Sequence, residues 1–238
     1  MGTWDTLAKK HDLEKDDTLD ISIVTGTLNR LDLLKNHIIP NTIDADPRVE
    51  LVLVDGGSTD GTLEYFVDLN HPRIRIYTQG GRTPYGVFMN FGLRKAMENT
   101  DTKWIAQWND DVVLESSWDD IRSRMDDRQV YLLSWKRVHD DKYDHWDGCL
   151  NFGLYHKDVI KDIGLYDTRF RFYGADYDIT QRMHHFDYKI KVLDDIRVTE
   201  LPRKALSTDT LTGQDDKFAV ENLEFYKRKE IPSWIERL

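Results

Sequence analysis

Five short stretches carry side chains that could bind a charged ligand or move a proton. They are Thr25 to Arg30 (TGTLNR), Asp55 to Thr62 (DGGSTDGT), Gln79 to Arg82 (QGGR), Asn109 to Asp111 (NDD) and Gly174 to Asp178 (GADYD). In the second, the glycines let the backbone approach a ligand closely, Ser58 or Asp60 can cap a following helix, and Asp55 can accept hydrogen bonds from a base or ribose. An ordinary strand-to-helix turn explains the same residues. Arg82 stands before a predicted helix start, where free N–H groups and a guanidinium together favour a phosphate; a solvated surface arginine is the alternative. Asp110 and Asp111 repel each other unless something positive joins them, and a hard divalent cation that also meets substrate phosphates would do so. Asp176 and Asp178 fall in the first turn of a predicted helix, where the helix dipole alone favours carboxylates.

An adjacent Asp pair carries little weight by itself in this chain. With 33 Asp among 238 residues about five such pairs are expected by chance and seven occur. The pairs beginning at Asp16, Asp119, Asp126, Asp140, Asp194 and Asp215 read as solvated charge. Asp110 and Asp111 differ because they follow directly on the apolar run Trp104 to Trp108.

The elements that must position these residues alternate. Asp20 to Thr25 and Val49 to Asp55 have the β-branched and apolar character of strands covered on both faces. Leu31, Leu34 and Ile38 recur at helical spacing before Pro40, and Asp60 to Leu69 reads as a second helix. Ile74 to Tyr77 and Trp104 to Trp108 are expected strands, with a helix from Pro84 to Asn99 between them. Gly92 and Ala96, four apart, make a smooth helical face suited to packing on a sheet. Right-handed crossovers then give a mostly parallel sheet, whose ligand edge lies beyond the strands' carboxyl ends. Farther on, Tyr131 to Trp135 and Leu150 to Tyr155 read as strands, and Lys157 to Ile163, Tyr177 to His185 and Asp215 to Lys229 as helices. No Pro-, Gly- or Ser-rich linker and no internal repeat divides the chain, so one domain is expected.

Composition narrows the function. The net charge of -10 argues against a protein whose main partner is nucleic acid. One cysteine, Cys149, excludes an internal disulfide and a multi-thiolate zinc site. No run approaches the length of a membrane span, and Lys9, Lys10, Asp12 and Glu14 stand where a signal peptide would be apolar. A cytoplasmic protein without a transmembrane segment is expected, touching a membrane only through a membrane-borne acceptor.

The stretches occur in one order, and in that order the sequence resembles the family 2 glycosyltransferases with a GT-A fold, from about Asp20 to Thr208. The resemblance rests on Asn29-Arg30, the segment Val54 to Thr62, Asn90 with Gly92 and Ala96, the NDD at Asn109 to Asp111 and the GADYD at Gly174 to Asp178. It implies a Rossmann-like α/β domain, a mostly parallel central sheet flanked by helices, over residues 19–208. Its nucleotide-binding half would span about 19–112 and its acceptor half 113–208, with a polar lead-in at 1–18 and a helical extension at 209–238. Thr25, Asn29, Arg30, Asp55, Gly57, Ser58, Arg82, Asn109 and Asp110 would then bind the nucleotide, Asp111 the metal, Mn2+ or Mg2+, and Asp176 would be the general base. The implied reaction is transfer of a sugar, with inversion, from a nucleoside-diphosphate sugar, UDP-sugars favoured, to a glycan or lipid-linked acceptor. Three departures stand out. Asn109 replaces a common first Asp, Ala175 stands where a Glu often precedes the base, and Glu200 lies near the place of a late metal-binding His. Trp146, Asp147 and Gly148 could line an acceptor site or simply pack on the sheet. A catalytically silent nucleotide-sugar or glycan binding module is the rival reading. A sugar nucleotidylyltransferase fits poorly, because Thr25 to Arg30 has too few glycines and no Lys for its phosphate loop.

Overall fold

The computed structural model describes residues 18–81, 83–99, 101–125, 129–136, 141–143, 152–170 and 174–202. Arg82, the Trp146 to Cys149 segment and the expected C-terminal helix lie outside the described residues. The strands are β1 (Ile21–Thr27), β2 (Val49–Asp55), β3 (Ile74–Thr78), β4 (Trp104–Gln107), β5 (Val112–Leu114), β6 (Val130–Lys136), β7 (Gly153–His156) and β8 (Ile190–Glu200). They form one eight-stranded sheet in the order β3-β2-β1-β4-β7-β6-β8-β5.

The first four strands are mutually parallel, as their two-sided burial requires: every residue of β2 is buried. The other half is mixed. β7 runs antiparallel to both β4 and β6, β5 runs antiparallel to β8, and β6 and β8 are parallel. The mostly parallel sheet expected from the sequence therefore holds for β1 to β4, and antiparallel pairing enters beyond β4.

Helices cover both faces. On one side lie α1 (Leu31–Leu33), a π-helical turn (Leu34–Ile38), α2 (Ile39–Asn41) and α3 (Thr62–Leu69), whose Leu34, Ile38 and Phe66 pack with Ile23, Leu51 and Leu53. Pro40 has no N–H to give, and the helical run passes through it by way of the wider π turn rather than ending before it. On the other side α4 (Tyr85–Glu98) lays Met89, Leu93 and Ala96 on Val24, Val52 and Ile105. Gly92 makes this approach possible: a Cβ there would stand 2.5 Å from Val24 Cγ1 and 3.2 Å from Val54 Cγ2. The packing expectation for Gly92 and Ala96 is met. α5 (Trp118–Arg122), α6 (Lys157–Ile163) and α7 (Ala175–His185) complete the described helices.

β5, α5 and β8 have no counterpart in the sequence reading. In β8 the pairing with β6 jumps from Leu133–Leu193 to Ser134–Arg197, so Asp194, Asp195 and Ile196 bulge out and break the strand period. Asp194 and Asp195 are exposed, as expected of solvated charge, and Arg124 pairs with Asp195. α5 is short, and Ser117 with Asp120 forms its capping box, which gives one member of the Asp119-Asp120 pair a local role.

Candidate active site

The loops after β1 and β2 are laced together. The Asn29 N–H donates to Ser58 Oγ at 2.8 Å, and Asn29 Oδ1 accepts from the Thr59 N–H at 2.8 Å. Asn29 adopts φ 54°, a left-handed conformation that asparagine tolerates and that aims its side chain across the gap. Asp60 accepts from the Leu31 N–H at 3.0 Å and from the Thr62 hydroxyl at 2.6 Å, tying together the starts of α1 and α3. Burial opposes its charge, yet these hydrogen bonds prevail and hold its carboxyl below the usual range.

Asp55 ends β2 with 1% of its surface exposed. Its Oδ2 accepts from the Gly57 N–H at 2.9 Å, the Ser58 N–H at 3.1 Å and the Thr78 hydroxyl at 3.4 Å. The carboxylate thus shapes the loop. Gly57 has φ +89°, and a Cβ on it would lie 3.0 Å from the Gly81 backbone, so only glycine lets the turns after β2 and β3 close on each other. Thr25, expected to contact the nucleotide, is buried. Its side chain is enclosed within β1, with its hydroxyl on the Gly26 carbonyl at 3.3 Å. Arg30 is half-buried beside Asn29.

The strand after α4 delivers the acidic segment. The Trp108 N–H donates to the Val24 carbonyl at 3.0 Å, so the chain stays on β1 until Asn109 turns away. The Thr27 hydroxyl, from the last residue of β1, donates to Asp110 Oδ2 at 2.7 Å and anchors that carboxylate. Asp111 is buried, and its carbonyl accepts from the Leu201 N–H at 2.6 Å. Glu200 pairs with Val112 across β5 and β8, which brings it next to the acidic segment. Among the described residues no three of His, Cys, Asp and Glu are grouped to hold a metal ion. Two carboxylates completed by substrate phosphates are a normal arrangement for Mg2+, and the all-oxygen donor set here fits such an ion or Mn2+.

The two carboxylates of the GADYD stretch have different surroundings. Asp178 is buried against the equally buried Arg182, whose Nη2 and Nε donate to its Oδ2 at 2.7 and 3.1 Å. Arg182 Nη1 donates to the Ile163 carbonyl at 2.7 Å and to the Gly164 carbonyl at 3.2 Å, tying α7 to the end of α6. Asp176, two residues after Gly174 and its φ of 86°, is half-buried and has no ion pair in the described structure. Burial pushes its carboxyl above the ordinary range, opposed by the Tyr177 N–H at 2.9 Å. A carboxyl of raised pKa that still reaches the surface is suited to proton transfer.

Sequence reasoning missed the polar residues that join these parts. Gln107 is fully enclosed at the end of β4, bonded to the hydroxyls of Tyr85 and Tyr166. Burial raises the pKa of both tyrosines, and the Asp176 charge reaches both. A glutamine inside the apolar run Trp104 to Trp108 was the available signal. Asn90, singled out from the sequence, turns its amide onto the Tyr166 backbone, with both bonds at 2.8 Å.

The chain has the fold of several solved glycosyltransferases. S. aureus TarS 1-349 in complex with UDP-GlcNAc superposes with a TM-score of 0.63 at 16% identity, covering 79% of this chain and 60% of that one. GalNAc-T7 with UDP, GalNAc and Mn2+ gives 0.64 at 13% identity, covering 79% and 45%. The mannosyltransferase PcManGT from Pyrobaculum calidifontis, in complex with GDP-Man and Mn2+, gives 0.60 at 16% identity, covering 85% and 61%. This chain therefore spans less than two thirds of the length of each of these structures. No curated protein sequence matches it. Residues 22–179, from the second residue of β1 into α7, match Glycosyl transferase family 2, and the chain belongs to that family.

Proposed function

We propose that this chain is an inverting, divalent-metal-dependent glycosyltransferase, taking its sugar from a nucleoside diphosphate, UDP by preference, and passing it to a hydroxyl of a glycan or lipid-linked acceptor. One observation carries the reading. Asp176, its carboxyl raised by burial yet still reaching solvent, acts on the same tyrosine pair that Gln107 holds three residues before Asp110. This supports a reading in which Asp176 is the proton acceptor beside an acidic, cation-seeking segment. Relatives of the same fold captured with UDP-GlcNAc, or with GDP-Man and Mn2+, support the donor class.

In this reading the loops held by Asn29, Asp55, Gly57 and Ser58 cradle the nucleoside, and Arg30 and Arg82 are its proposed phosphate contacts. Asp111 would hold the cation, and Asp110 and Asn109 would meet the ribose and diphosphate. The bound ion supplies Lewis-acid stabilisation of the leaving diphosphate. Asp176 takes the proton of the acceptor hydroxyl as that oxygen bonds to the anomeric carbon; the bond to the diphosphate breaks, and its electron pair leaves with the nucleoside diphosphate. Attack opposite the leaving group inverts the anomeric centre.

The test is a thermal-shift panel of UDP-, GDP- and dTDP-sugars with and without Mn2+. A ligand at about 100 times its Kd stabilises by about 2.7 kcal/mol. The proposal expects a nucleotide sugar to raise the midpoint more with Mn2+ than without, and Asp111→Asn to abolish that increment. No shift with any donor would contradict it. Donor binding without turnover over a broad acceptor panel would favour the silent binding module.

A further inference from the structure

Hydrogen bonds, linked by short stretches of backbone, connect the end of β4, just before the acidic segment, to the helix that carries Asp176. The first member is Gln107, whose Nε2 donates to the Tyr85 hydroxyl at 2.8 Å while its Oε1 accepts from the Tyr166 hydroxyl. Tyr85 opens α4, and its ring meets that of Tyr166 edge-on with centroids 5.6 Å apart. Tyr166 lies in the turn between α6 and α7, where Asn90 binds both its N–H and its carbonyl. The same turn is gripped from α7 through Arg182, on the carbonyls of Ile163 and Gly164. Three elements, β4, α4 and α7, are thereby locked onto one turn.

Stability alone does not call for this knot. The Tyr155 hydroxyl beside it is wholly buried and finds no hydrogen-bond partner among the described residues. An unsatisfied buried hydroxyl costs about 1–3 kcal/mol, and apolar side chains of the same shape would fill such a space at little or no loss. What apolar filling cannot supply is directional register between the segments. We propose that Gln107 and Tyr166, with Tyr85, are positioning residues that set α7, and with it Asp176, at a fixed separation from Asp110 and Asp111. The inference rests on the reading of Asp176 as the base. Misplacing a reacting group by about 1 Å can lower turnover about 100-fold without touching ligand affinity.

Tyr166→Phe tests it, since the ring remains and only the hydroxyl is lost; Gln107→Leu is the second variant should the first fail to fold. Binding of UDP is measured by calorimetry, and turnover as the steady-state rate of UDP release at saturating donor across a panel of UDP-sugars. The expected result is a kcat at least about 10-fold lower with a UDP Kd within about twofold of the parent. The double variant should be no worse than the poorer single one, because Gln107→Leu already removes the bond that Tyr166→Phe removes. An unchanged kcat in folded Tyr166→Phe, or a kcat loss matched by an equal loss of UDP affinity, overturns the positioning role. Full turnover by Asp176→Asn would instead overturn the base, whereas an inactive Asp176→Asn beside a fully active Tyr166→Phe overturns the positioning role alone.

Discussion

Asp176 and Asp178 sit two residues apart, and their environments separate them. Removing the Asp178 carboxylate leaves the Arg182 guanidinium buried and unpaired, a change that typically costs about 3–5 kcal/mol. Asp178→Ala should therefore lower the denaturation midpoint sharply, measurable by urea titration. Asp176→Asn should do the opposite. A carboxyl raised by burial holds its proton more tightly folded than unfolded, so ionising it above the unfolded pKa lowers stability. The Asn variant should be more stable than the parent at pH 7, and the gain should vanish below about pH 4, where both side chains are neutral. A stability gain that persists at low pH would show that the raised carboxyl is not its source. Residue types alone displayed both as one acidic cluster, and only the family resemblance singled out Asp176; the pairing that separates Asp178 was illegible because Arg182 and the carbonyls it holds come together only in the folded turn.

The elements from β1 to β4 were legible because each has a clean period or a run buried on both faces. β2 matches its expected bounds, Val49 to Asp55, and α4 lies within one residue of its expected ends. β8 was illegible because three bulged residues, two of them exposed aspartates, interrupt its alternation. Close packing was readable at Gly92, where the small residue faces β1 and β2. Gly92→Val should force α4 off the sheet, cost about 1–3 kcal/mol or more, and weaken nucleotide-sugar binding, since Tyr85 and the turn before it ride on the same helix. Paired denaturation and calorimetry check this; unchanged stability in Gly92→Val would contradict the close approach.

Across the molecule, the polar groups concentrate at opposite ends of the strands. The carboxyl ends carry the candidate site. The other end buries Glu50 with Arg75 at 2.7 Å, together with Lys157, whose amine donates to the Asn99 carbonyl. Burial lowers the Lys157 pKa to about 8. Between pH 8 and about 10 the unfolded chain then binds the extra proton, so stability should rise with pH; above 10 the buried Tyr155 and Tyr166, whose pKa burial raises, reverse the trend. Lys157→Met should flatten the rise between pH 8 and 10 in thermal melts. Fold class and the acidic stretches were legible in the sequence because they are local patterns. The links among them, Thr27 to Asp110, Asn29 to Ser58 and Gln107 to Tyr166, span 29 to 83 residues and exist only through the fold. Whether they assemble a catalyst is decided most directly by Asp176→Asn in single-turnover sugar transfer, with nucleotide affinity measured alongside. Unchanged nucleotide affinity with transfer reduced by two orders of magnitude or more, on the order expected for loss of a general base, is the predicted result. Transfer at the parent rate would contradict it.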